Sequence, residues 1–207
     1  MKEEIRRANI LEINPDGSGE RVFAYGLRNP VGMDWNPVTG ALWSAVNERD
    51  ELGDELVPDY VTSVREGGFY GWPYAYIGNN PDPRWNGQRS DLKVKSIVPD
   101  ILVGSHTASL SLLFQRSDKF PAAYREGLFV SQHGSWNRSE LAGYKVLFIP
   151  FANGRASGPA QDFLKGFIVK EGEIDVYGKP VGLAQLPGGE LLVADDSGNT
   201  VWLVRAK

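Results

Sequence analysis

From Asn9 onward the chain alternates short apolar stretches with polar turns. "NILEI", "ALWSAV", "KVLFIPF", "ELLVAD" and "TVWLVRA" show period-2 character, the signature of strands whose successive side chains face opposite sides. The stretches are separated by turns drawn from 24 glycines and 13 prolines, a punctuation that predicts a many-stranded antiparallel protein. Long amphipathic helical patterns are nearly absent. "DYVTSVREGG" and "FPAAYREG" are each expected to make a turn or two of helix, so the fold class is all-β with short helical inserts.

An internal repeat sharpens this expectation. "NPVGMDWNPVTGALWSAVNE" and "KPVGLAQLPGGELLVADDSGN" share Pro-Val-Gly, an apolar pair, a proline, a glycine and then an apolar strand. A weaker middle copy runs through "ASLSLLF" and "EGLFVSQHG", with "QRSDKFPAAYR" inserted between its two strands. Three copies of a strand, turn, strand unit predict blades of a β-propeller, here a partial one occupying residues 1–207 as one domain. A sandwich with accidental similarity is the alternative. The copies end in polar clusters at equivalent places, "NERD", "SQHGSWNR" and "DDSGN", and repeated blades would carry these to one end of a shared axis, where a ligand can sit.

Charge and composition narrow the partners. With 22 basic against 26 acidic residues the net charge is −4, and no basic cluster stands out beyond "IRR" near the start, which disfavours nucleic acid. The absence of cysteine excludes disulfides, thiolate metal sites and a cysteine nucleophile. No apolar run approaches the roughly 18 residues of a membrane span, and "MKEEIRRANILEINPDG" shows no apolar signal segment.

Several residues offer chemistry. Glu51, Asp54, Glu55 and Asp59 crowd one stretch behind Glu48 and Asp50, loosened by Gly53. Dense carboxylates with freed loop carbonyls suit calcium, which takes hard oxygen ligands, yet the spacing is not that of an EF-hand and a solvated acidic loop explains it equally. In "GGFYGWPYAY", Tyr70 and Trp72 form either a packed turn or a ligand platform, and each must place its polar atom. "GLRNPVG" holds Arg28 and Asn29 in a proline-bounded turn, a donor fork suited to a carboxylate or electron-rich carbonyl; a strand-capping surface arginine is the plain alternative. His106 in "GSHTAS" and His133 in "SQHGSWNR" are candidate proton acceptors in polar surroundings. Asp195 and Asp196 in "VADDSGN" read as an Asx-type turn.

Together, "GLRNPVGMDW", "DELVPDYVTSVREGGFYGWP", "HTASLSLLF", "SQHGSWNR" and "KPVGLAQLPGGELLVADDSGNTVW" resemble the C-terminal half of the soluble pyrroloquinoline-quinone-dependent sugar dehydrogenases, especially their sorbosone dehydrogenase-like branch. The resemblance implies about three blades of a six-bladed propeller, with the quinone near the axis and calcium bridging cofactor and protein. It implies that Arg28 and Asn29 contact the quinone, Arg28 stabilising charge on its reactive carbonyl, and that Glu48, His106 and Lys179 face the cofactor. Arg49 and Asp50 fall where backbone carbonyls hold calcium, Asp54 and Glu55 match an acidic pair near calcium and substrate, and Tyr70 matches a calcium-associated aromatic. The family's general base is a histidine of the N-terminal half, outside this sequence. If the chain acts alone, His106 or His133 is the remaining candidate. The expected activity is oxidation of a sugar hydroxyl by hydride transfer to the quinone, in the periplasm or secreted. The partner closing the ring would be an N-terminal half or a second copy. A binding module without redox activity and a calcium-dependent lactonase-type propeller are the competing functions.

Overall fold

A computed structural model describes residues 5–170, 172 and 174–206. Two strands, β1 (Asn9–Glu12) and β2 (Arg21–Tyr25), form an antiparallel ribbon. The first full sheet follows, with β3 (Pro30–Trp35), β4 (Leu42–Val46) and β5 (Pro58–Ser63) in sequence. A long connection then carries a small hairpin, β6 (Ala75–Tyr76) and β7 (Asn80–Pro81), and a one-turn helix, α1 (Ser90–Lys93), before β8 (Ile101–Ser105) completes the order β3-β4-β5-β8. The second sheet is built on β9 (Ser109–Phe114), β10 (Gly127–Gln132) and β11 (Lys145–Ala152), with β12 (Arg155–Ala156) and β13 (Gln161–Leu164) both pairing β11. The third contains β14 (Pro180–Gln185), β15 (Leu191–Asp195) and β16 (Thr200–Val204). Successive antiparallel sheets of this kind are a partial β-propeller, and the repeat in the sequence marks the first two strands of each full blade.

Period-2 alternation explains how the blades stack. Along β10, Leu128 and Val130 face the first sheet, where they meet Trp43, Val61 and Val103. Phe129, between them in sequence, faces the third sheet and packs with Phe148, Leu191 and Val193. A middle blade therefore buries both faces, which is why β10 is buried along its whole length. The ribbon β1–β2 covers the outer part of the first sheet through Ile10, Ala24 and Leu27 against Val46, Tyr60 and Tyr70. Opposite the second blade, Val31, Met33 and Trp35 of β3 stay 40–58% exposed, because two strands are too few to cover them.

The inner strands of the blades lean on one another. A Cβ at Gly32 of β3 would lie 2.6 Å from the Ser111 Cα of β9, so only glycine permits that approach. Ser111 Oγ in turn accepts the Leu183 N–H of β14 at 3.3 Å. One helical expectation fails: residues of "DYVTSVREGG" form β5 rather than a helical turn. Tyr60, Val61 and Thr62 are β-formers, and the strand is buried on both faces. "FPAAYREG" does make a single tight helical turn at Ala122–Tyr124.

Candidate functional site

The strand ends gather polar connections at one end of the first two blades. Arg28 leaves β2 just after Leu27, which is fully buried and fixes where the guanidinium emerges. Its Nη1 donates to the Glu48 carbonyl at 2.5 Å and its Nη2 to Asp50 Oδ2 at 3.2 Å. Asp50 Oδ1 accepts from Asn137 Nδ2 at 2.7 Å and lies 3.2 Å from His106 Nδ1. His106 Nε2 is 2.9 Å from the Gly53 carbonyl, and because a carbonyl only accepts, Nε2 carries the hydrogen. Gly53 takes φ of +90°, a conformation available to glycine without strain. Asp50 thus joins Arg28 and His106 from the first blade to Asn137 from the second.

Asp59, at the start of β5 and 1% exposed, ties the connections beneath. Its Oδ1 accepts the Glu48 N–H at 2.8 Å, and its Oδ2 accepts the Ala108 N–H at 2.8 Å and the Thr107 hydroxyl at 3.1 Å. Burial pushes its carboxyl up, opposed by those three hydrogen bonds. The link from β8 to β9 is tight enough that His106 and Ala108 adopt φ of 59° and 51°, a left-handed conformation that surrounding structure must enforce. Glu48 is 4% exposed and its Oε1 has no hydrogen-bond partner among the described residues; burial raises its carboxyl to about 7 against the pull of the Arg49 N–H and Arg28. These groups, with Asn29 and an 82% exposed Trp136, surround a cleft of about 210 Å³.

Of the residues singled out in the sequence, the structure brings Arg28, Asn29, Glu48, Asp50 and His106 to this cleft. Asp54 and Glu55 stand on its outer rim. Asp54 accepts the Ser139 N–H at 3.1 Å and its hydroxyl, which holds the carboxyl low, and Glu55 pairs with Arg138 at 2.8 Å. Arg49 turns away: its guanidinium pairs with both oxygens of Asp82 at 3.0 Å, where Arg84 also binds at 2.9 Å. Tyr70 is fully buried, donating to the Ser63 carbonyl at 2.7 Å and accepting the Arg65 N–H at 3.0 Å, which commits it to the core. Lys179 sits over the Tyr144 ring at 5.9 Å, outside the cleft lining. His133 meets Asp196 at 3.1 Å, joining second and third blades at the same end. Asp195 makes the expected Asx-type turn by accepting the Gly198 N–H at 2.8 Å.

Sequence reasoning did not select Asp59, Trp136 or Asn137 as site residues, although the polar cluster "SQHGSWNR" was the available signal for the last two. Trp72 is explained only in three dimensions, with Arg28 and Arg84 over its ring at 5.7 and 5.2 Å. Among the described residues no three His, Asp or Glu side chains form a group able to hold a metal. The oxygens of Asp50 and Asp59 are already engaged, so calcium does not fit the side chains as arranged. Arg28, Asn29 and Asn137 supply donors suited to the anionic edge of a planar group, beside the carboxylates of Glu48, Asp50 and Asp59, and the Trp136 side chain is exposed.

The TrAA12-like family model matches residues 9–207. An uncharacterized protein of Borreliella burgdorferi is 32% identical over 202 residues, covering 96% of this chain and 52% of its own length. Aldose sugar dehydrogenase YliI of Escherichia coli is 31% identical over 127 residues, covering 57% of this chain and 30% of its own. The holo form of the pyranose dehydrogenase PQQ domain from Coprinopsis cinerea superposes with a TM-score of 0.77 at 22% identity, covering 97% of this chain and 61% of that one. The chain spans about half the length, or less, of the curated relatives it matches.

Proposed function

The chain belongs to the TrAA12-like family, one of soluble pyrroloquinoline-quinone-dependent sugar dehydrogenase-like proteins, and from that premise we propose that it supplies the quinone-facing wall of a sugar oxidoreductase. The observation that carries this is Arg28, held at the cleft by the Glu48 carbonyl and Asp50. When bound, pyrroloquinoline quinone supplies the hydride-accepting centre. Arg28 and the Asn29 amide would hold the anionic edge of that group, where a fixed guanidinium would favour negative charge. Asp50 orients Arg28, and Asn137 and His106 orient Asp50. His106 has both ring nitrogens engaged, which argues against it as the acceptor of the sugar hydroxyl proton. No step is assigned to calcium. No described helix is long and apolar enough to cross a membrane, and a periplasmic or secreted setting is part of this proposal.

Titration of the protein with pyrroloquinoline quinone, followed by tryptophan quenching, tests it. Binding in the micromolar range and a loss of roughly tenfold or more in Arg28→Ala are expected for one charge-assisted contact. No binding at micromolar quinone would sink the proposal. Full retention of affinity in Arg28→Ala would favour the propeller as a binding module of another kind.

A further inference from the structure

Radially outward from the cleft, between the outer strands of the first two blades, lies a groove of about 670 Å³. Its size is that of an ordinary small-molecule site. It adjoins the cleft directly: Thr107 lines the groove, while its chain neighbours His106 and Ala108 line the cleft. Both members of the Arg138–Glu55 pair line the groove. Among its described lining residues the charged ones are Arg138, Lys145, Lys165, Lys170, Glu55 and Asp162. Arg138 and Lys145 are paired with those two acids. Lys165 is exposed and has no acidic partner among the described residues. The inner end holds Gln132, whose Nε2 donates to the Val103 carbonyl and the Thr107 hydroxyl, each at 2.9 Å. Its Oε1 is buried without a hydrogen-bond partner among the described residues.

We propose that this groove is a second saccharide subsite, selective for an anionic unit such as a uronate, belonging to a chain whose terminal ring lies in the axial cleft. Lys165 supplies the uncompensated charge that a carboxylate would meet, and the mixed polar lining accommodates hydroxyls. The direction of the saccharide, terminal ring inward, rests on the sugar-oxidising function proposed above. The preference for an anionic unit does not.

Isothermal titration with trigalacturonate and, in parallel, with neutral maltotriose tests the assignment without quinone. Trigalacturonate is expected to bind at least about tenfold more tightly, with a preference that weakens as salt is raised. Lys165→Glu is expected to abolish the preference while leaving the quinone titration unchanged, since Lys165 does not line the cleft. Equal affinity for the two trisaccharides, or a preference that survives in Lys165→Glu, would overturn it. A failed quinone titration beside an intact trigalacturonate preference would remove the redox function and leave the anionic subsite standing.

Discussion

Replacing Glu48 by glutamine tests the electrostatics of the cleft without changing its shape. The side chain is 4% exposed, its Oε2 accepts the Arg49 N–H at 3.2 Å and its Oε1 has no partner among the described residues. Burial is the largest influence and lifts the carboxyl from 4.5 to about 7, with Asp59 and Asp82 adding to the rise. Between these values the folded protein holds a proton that the unfolded chain has released. The contribution of Glu48 to stability is therefore fully present below pH 4.5, is lost as pH rises, and levels off above about 7. The gap corresponds to about 3 kcal/mol. Urea unfolding followed by tryptophan fluorescence should show Glu48→Gln more stable than the parent by up to about 3 kcal/mol at pH 8, shrinking to about 1 kcal/mol at pH 5. An equal offset at both pH values would refute the reasoning, because a pure packing effect does not titrate.

Two further substitutions probe the frame around the site. Asp82→Asn leaves Arg49, whose side chain is only 5% exposed, without its buried counter-charge, and a loss of about 3–5 kcal/mol is expected in thermal or urea unfolding; an unchanged midpoint would show that the pair contributes nothing. Gly32→Ala drives a Cβ to 2.6 Å from the Ser111 Cα, and since that neighbour is backbone, the first two blades must separate, at about 1–3 kcal/mol. A wild-type urea midpoint in this variant would mean that the inner strands are not in close contact.

The architecture was legible where local pattern and repetition agree. Pro-Val-Gly at Pro30 and again at Pro180 marked β3 and β14, and the polar clusters that end each copy do converge, as the Asn137–Asp50 and His133–Asp196 contacts show. What local pattern does not encode is which through-space partner a charged or polar side chain takes. Arg49 and Asp50 are neighbours, yet one turns into a buried pair with Asp82 and the other faces the cleft. Tyr70 belongs to an aromatic turn that reads as a ligand platform, and its hydroxyl instead satisfies the backbone at Ser63 and Arg65. Asp59 sat unselected within an acidic run because its importance lies in three hydrogen bonds to segments 11, 48 and 49 residues away. The β5 strand was misjudged for a related reason: burial on both faces erases the alternation that would have announced it.

Asp50 also bears on the order of events in folding. Its partners lie 22, 56 and 87 residues away, and the rim pair of Glu55 with Arg138 spans 83, whereas the hairpins of each blade close locally. Contacts of such long range form after the loops between them have closed, so the cleft is completed late, when two preformed blades dock. The same remoteness makes it among the first regions to open under mild denaturant. Hydrogen exchange at the His106 to Ala108 connection would then report blade docking rather than the integrity of either blade.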